Sequence, residues 1–134
     1  MSLSGLSVEG RVAVVTGGAS GIGRALVLEL HRRGAAHVAV LDRDVAGADA
    51  VASEVGGSAW ECDIGRESDV RGVVELVGAR AGPVALFCSN AGVLERDLDP
   101  DDPTSASEEA WERSWRVNVM AHVYAARACL PGMR

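Results

Sequence analysis

The sequence predicts an α/β fold: a parallel sheet with helices on both faces. Three observations lead there. Short apolar runs at residues 12–15, 38–41 and 84–88 are too brief for helices and suit strands buried on both faces. Between them lie stretches with apolar residues three and four apart, the helical spacing. The two kinds of segment alternate, and β-α-β alternation marks a parallel sheet.

Residues 1–10 form a short leader, and residues 12–15 are the first strand. A turn follows at residues 16–23, with glycine at 17, 18, 21 and 23. A helix is expected over residues 21–33, with Ile22, Leu26 and Leu30 recurring every four residues and Gly34 as its terminator. Residues 38–41 are the second strand, closed by Asp42. Val45, Ala48, Val51, Ala52 and Val55 make one stripe of a second helix, ended by Gly56 and Gly57. Residues 58–62 read as a short third strand. Residues 67–81 read as a third helix with Val70, Val73, Val74 and Val77 inside, broken by Gly82 and Pro83. The fourth strand is 84–88. An acidic stretch over residues 93–106, with Glu95, Asp97, Asp99, Asp101 and Asp102, reads as a solvated loop, with a cover over the substrate as the secondary alternative. Ser107 is a good N-cap for a long helix to about Cys129, ended by Pro131 and Gly132. Trp111 and Trp115 share a face of that helix and read as packing or subunit-contact residues.

The glycine turn carries the first chemical signal. A strand, a tight turn and a helix start aim backbone N–H groups and the positive end of the helix dipole at one point, which suits a phosphate. The spacing is Gly17-x-x-x-Gly21-x-Gly23. It differs from the general Gly-x-Gly-x-x-Gly fingerprint, and no Gly-Lys-Ser/Thr ending supports a P-loop. An ordinary glycine-rich turn remains the alternative. Asp42 lies 19 residues after Gly23, close to the position of an acid that accepts hydrogen bonds from ribose hydroxyls. Its own alternative is a capping or loop acid.

With these residues in view, Thr16-Gly17-x-x-x-Gly21-Ile22-Gly23 resembles the cofactor signature of the short-chain dehydrogenase/reductase family. The resemblance implies a Rossmann-type, doubly wound parallel sheet with strand order 3-2-1-4. It implies a nicotinamide cofactor and hydride transfer to or from an alcohol carbon. Gly17, Ser20, Gly21, Ile22 and Gly23 are then cofactor-binding residues. Asp42 favours NAD over NADP by repelling a 2′-phosphate, while the adjacent Arg43 weakens that preference because a guanidinium clamps phosphate. Asp63 and Ile64 resemble the family's acid and aliphatic pair at the adenine, with an N-cap acid as the alternative for Asp63. Ser89-Asn90-Ala91-Gly92 looks like the family's Asn-Asn-Ala-Gly loop, with Ser89 in place of the first Asn, so Asn90, Ala91 and Gly92 border the cofactor. A simple turn is the alternative. Asn118, seven residues after Trp111, resembles in spacing and order the family's catalytic Asn, which holds a water in a proton relay; an ordinary polar residue of the helix is the alternative.

Composition sets the outer limits. At 134 residues the chain suits one domain, residues 1–134, able to bury a sizeable core. The net charge of -6 argues against nucleic acid and anionic membrane surfaces as partners. No apolar run reaches membrane-spanning length, and a cytoplasmic protein is expected. Cys62, Cys88 and Cys129 lie far apart and read as small hydrophobes. His31, His37 and His122 lack ligand spacing, and no metal is expected.

The resemblance covers the family's N-terminal half. Its C-terminal half, with a catalytic Ser and Tyr-x-x-x-Lys, is absent. All 13 basic residues are Arg, and Tyr124 is followed four positions later by Ala128. Two readings stand: an NAD-dependent oxidoreductase acting on an alcohol or carbonyl substrate, a homo-oligomer when complete and inactive as these residues alone, or a non-catalytic dinucleotide-binding module. A methyltransferase shares the glycine turn and the acid but leaves Asn90-Ala91-Gly92 and Asn118 unexplained.

Overall fold

The computed structural model describes residues 7–94, 99–102 and 104–134. Four parallel strands, β1 (Val12–Thr16), β2 (His37–Asp42), β3 (Ser58–Glu61) and β4 (Val84–Cys88), form one sheet in the order β3-β2-β1-β4. Helices α1 (Gly21–Arg32), α2 (Val45–Val55) and α3 (Glu67–Ala81) connect successive strands. After β4 come α4 (Glu108–Trp115), a π-helical turn (Arg116–Met120) and α5 (Ala121–Met133). This is the expected doubly wound, Rossmann-like arrangement.

Strand side chains alternate between two cores, because successive residues point to opposite faces of a sheet. Val12, Val14, Ala39 and Leu41 face one core with Val70, Val77, Ala121 and Cys129 from α3 and α5. Ala13, Val15, Val38 and Val40 face the other, with Val27 of α1 and Val51 of α2. Both faces of β1 and β2 are therefore covered, which explains their unbroken apolar runs. The pairing is regular between β1 and β2, with Val14 opposite Ala39. Between β1 and β4 the register shifts after Val12, leaving Ala85 without a partner across from β1.

Several local expectations need correction. β2 takes in both His37 and Asp42, and β3 ends at Glu61, before Cys62. The buried residues of α1 are Gly23, Val27 and Leu30; Ile22, expected on the same stripe, is 75% exposed. It stands in the first turn, beyond the end of β1, where no sheet lies beneath it. Val45 at the start of α2 is exposed likewise. The last helix is interrupted by the π turn and runs past Pro131 to Met133. A proline removes one N–H and one bond of the ladder, and here that loss falls in the final turn. Trp111 and Trp115 are 66% and 60% exposed, so they do not pack within the described residues.

Of the acidic loop, Glu95 and Asp97 lie outside the described residues. Asp99, Asp101 and Asp102 are exposed, and the Asp99 and Asp102 carboxylates accept from the Asp101 and Thr104 N–H groups in tight turns.

Candidate functional site

The C-terminal ends of β1, β2 and β4 open onto a cleft of about 450 Å³. In open α/β sheets ligands bind outside the carboxyl ends of the strands, where the connections diverge to the two faces. Here α1 returns on one side of β1 and the chain after β4 returns on the other.

The glycine turn forms the floor. Gly21 has φ +55°, and beyond its own turn of helix and chain neighbours no described atom lies within 4 Å of where its Cβ would stand. Space is therefore open directly above the backbone at the start of α1. Ser20, the N-cap of α1, makes no side-chain bond to the first turn, whereas Asp44 and Ser107 cap α2 and α4 in the usual way. The helix thus presents uncapped amides to the cleft, which Ser20, Gly21 and Ile22 line. Gly23 is not in the lining. A Cβ there would collide with the Gly17 carbonyl, so Gly23 serves the closure of the turn.

Asp42, at the end of β2, reaches back to this floor. Its Oδ2 accepts from the Ala19 N–H at 3.1 Å, and its Oδ1 accepts from the Asp44 N–H at 3.0 Å. Each carboxylate oxygen keeps a lone pair for a further donor. Arg43 stands beside it in the cleft wall.

The opposite wall is the segment after β4. Asn90 donates from its backbone N–H to Thr16 Oγ1 at 3.0 Å and from Nδ2 to the Thr16 carbonyl at 3.1 Å. The Ala91 N–H donates to the same hydroxyl at 3.1 Å. The hydroxyl in turn donates to the Cys88 carbonyl at 3.4 Å. Thr16 is 1% exposed, so these bonds form away from water. Ala91 also comes close to the turn: a Cβ on Gly17 would stand 2.9 Å from its Cα. Thr16 opens the glycine signature, but nothing in the pattern assigns it this role of holding the facing loop.

Asp63 Oδ1 accepts from the Gly65 N–H at 3.0 Å, folding its own turn. It does not cap α3, whose N-cap is Arg66. Ile64 is 7% exposed and joins the core while its side lines the cleft. Leu41, Cys62, Val93 and Val117 also line the cleft. The sequence offers one hint for each of them, adjacency to a predicted site residue: Leu41 to Asp42, Cys62 to Asp63, Val93 to Gly92 and Val117 to Asn118.

Cys62 is buried, and burial, with lesser contributions from Asp69 and Asp63, pushes its thiol up to about 12. It stays protonated and inert. Burial also raises Cys129, to about 11, and Cys88. All three are free.

Asn118 lies within the π turn. Its Oδ1 accepts from the Val93 N–H at 2.8 Å, and its Nδ2 donates to the Val93 carbonyl at 2.9 Å. The extra residue of a π turn changes the direction of the helix face locally, and Ala121 N–H bonds back to the Arg116 carbonyl, five residues earlier. Val117, its neighbour in the turn, is 8% exposed and seals the cleft. His122 follows at the start of α5, with Nδ1 2.6 Å from Ser89 Oγ. The structure thus brings the predicted residues Gly17, Ser20, Gly21, Ile22, Asp42, Arg43, Asp63, Ile64, Asn90, Ala91 and Gly92 to one cleft, and places Gly23 and Asn118 directly behind its walls. Among the described residues no cluster of three or more His, Cys, Asp or Glu could hold a metal.

Residues 11–134 match the family model described as short chain dehydrogenase. The chain belongs to the short-chain dehydrogenase family. It is 39% identical to cis-1,2-dihydrobenzene-1,2-diol dehydrogenase of Pseudomonas putida, over 96% of this chain and 47% of that one. It is 38% identical to the sex determination protein tasselseed-2 of Zea mays, over 92% of this chain and 39% of that one. Among solved structures, it is similar to 3-ketoacyl-(acyl-carrier-protein) reductase from Brucella melitensis in complex with NADH. That similarity has a TM-score of 0.82 and 34% identity, over 94% of this chain and 51% of the other. This short-chain dehydrogenase chain therefore spans about half the length, or less, of these relatives.

Proposed function

We propose that residues 1–134 form the cofactor-binding domain of an oxidoreductase that exchanges hydride between NAD(H) and an alcohol or carbonyl substrate. The observation that carries this reading is the uncapped start of α1 beneath open space at Gly21. That combination suits a pyrophosphate. When bound, the nicotinamide ring supplies or accepts the hydride. The chain's own residues bind and orient. Asp42 offers its remaining lone pairs to ribose hydroxyls. Asp63 and Ile64 border the adenine, and Asn90, Ala91 and Gly92 form the facing wall. Arg43 flanks the ribose.

Asn118 spends one amide N–H and one lone pair on Val93. The other N–H and lone pair are left to position a water. It cannot itself take a proton, and the chain contains no Lys. The proton-transfer Ser and Tyr-x-x-x-Lys that the family resemblance implies therefore come from outside these residues. A cytoplasmic homo-oligomer fits this reading. Trp111, Trp115, Val119, Val123 and Leu130 are exposed apolar residues along α4, the π turn and α5, and no described helix is long and apolar enough to cross a membrane.

A second reading, NADP, is favoured by one observation. A cavity of about 450 Å³ beside the cleft is lined by Arg43, Arg66, Arg113 and Arg116, which suits a phosphate, although Asp63, Glu109 and Glu112 share it. Calorimetric titration of NADH and NADPH into the full-length protein decides between them. Tighter NADH binding is expected. Tighter NADPH binding would reassign the preference, and binding of neither would overturn the oxidoreductase reading.

A further inference from the structure

Asn118 and His122 are four residues apart on the continuous helical segment, and they hold the two ends of one loop. Asn118 grips the backbone of Val93 with both ends of its amide. His122 meets Ser89 at 2.6 Å. Between those ends lie Asn90, Ala91 and Gly92, the wall of the cleft. The same loop is fastened from the other side to Thr16 of β1. Two elements therefore set its position at three points: β1 at its centre and the helical segment at each end.

We propose that His122 is a positioning residue for the cofactor cleft, acting through Ser89. The proposal rests on the reading of the cleft as a dinucleotide site. The serine hydroxyl both donates and accepts, so it pairs with either neutral tautomer of the imidazole. Ser89 is adjacent to Asn90, whose two bonds to Thr16 depend on the direction in which the chain leaves β4. The close approach of Ala91 to Gly17 leaves no slack: a loop that swings away loses its packing on the glycine turn as well. His122 is absent from the cleft lining, so its influence is through Ser89 rather than by touching a ligand. Where the family loop resembled here begins with Asn, this chain has Ser, and the short serine side chain is met by the longer reach of a histidine.

The test uses the full-length protein with His122→Leu, His122→Asn, Ser89→Ala and the double variant His122→Leu/Ser89→Ala. Two readouts are followed: NADH affinity by calorimetry, and hydrogen exchange at the Asn90, Ala91 and Val93 amides. His122→Leu and Ser89→Ala should each weaken NADH binding by about threefold to tenfold, the range for one lost hydrogen bond. The double variant should lose no more than either single one, because both remove the same interaction. His122→Asn should restore most of the affinity, since its amide places a polar atom at the position of Nδ1. Exchange at the three amides should quicken in His122→Leu and not in His122→Asn. Additive losses, or unchanged affinity and exchange in His122→Leu, would overturn the proposal while leaving the dinucleotide reading intact. A wild-type protein that binds neither NADH nor NADPH would overturn that reading, and the cofactor role of His122 with it.

Discussion

Asn90 holds Thr16 at two points: its backbone N–H reaches the threonine hydroxyl and its side-chain amide reaches the threonine carbonyl. With the Ala91 N–H on the same hydroxyl, one buried oxygen gathers two donors from a segment more than 70 residues away. The expected consequence is specific. Thr16→Val keeps the shape and removes the acceptor, leaving two amides without partners. Each donor left unpaired in a buried site costs about 1–3 kcal/mol. Thr16→Ser keeps the hydroxyl and should cost less than Thr16→Val. Denaturant unfolding of the three proteins measures the order, and equal stability of the Val and Ser variants would refute it.

Two glycines of the turn should separate fold from ligand. At Gly23 an alanine Cβ would meet the Gly17 carbonyl, which is backbone and cannot step aside cheaply. Gly23→Ala should therefore lower stability by about 1–3 kcal/mol, the usual cost of overpacking. At Gly21 the Cβ meets nothing, and only the positive φ is strained, at about 1–2 kcal/mol. Gly21→Val should fill the open space and abolish NADH binding while helical content stays largely intact. Circular dichroism and calorimetry on the two variants read these outcomes independently. Undiminished NADH affinity in Gly21→Val would mean that the turn is structural only.

Stability should fall in two stages on acidification. His37 bonds to Ser58 Oγ, and burial, with a smaller effect of Arg80, holds its imidazole below the ordinary value of 6.5. The unfolded chain then binds that proton more readily than the folded one. Its contribution is present above pH 6.5 and is lost as pH falls through the lower, folded value. Glu29 is pulled down to about 2 by its hydrogen bonds from Arg32 and Arg33. Its contribution is present above its ordinary 4.5 and is lost as pH falls towards about 2. All three groups of the Glu29 cluster are exposed, so the second stage is the smaller and is weakened by salt. Thermal unfolding across pH measures both. A His37→Asn variant should flatten the slope just below pH 6.5, and an unchanged slope would exclude His37 as its source.

The strands, the glycine turn and three of the helices were legible because their signals are local. Residues 45–55, 67–81 and 84–88 have the bounds that their apolar spacing and flanking Gly and Pro suggest. What the pattern misses is of two kinds. Thr16 with Asn90, Asn118 with Val93, and His122 with Ser89 join residues far apart in the chain, and a single hydrogen bond leaves no periodicity. Ile22 and the π turn fail for a different reason. Ile22 continues a helical stripe in sequence but projects beyond the sheet, and one inserted residue at 116–120 shifts the helix face without altering composition. Both departures fall where the chain borders the cleft.

Asp42 also limits how this protein could be changed. The carboxylate we propose for a ribose already anchors Ala19 and Asp44 through its two oxygens. Replacing it to admit a different nucleotide removes a strut from the glycine turn at the same stroke. A neutral amide offers only one acceptor oxygen where two are in use. Retuning nucleotide choice at this position therefore carries a stability cost, which a substitution that secures Ala19 by other means would offset.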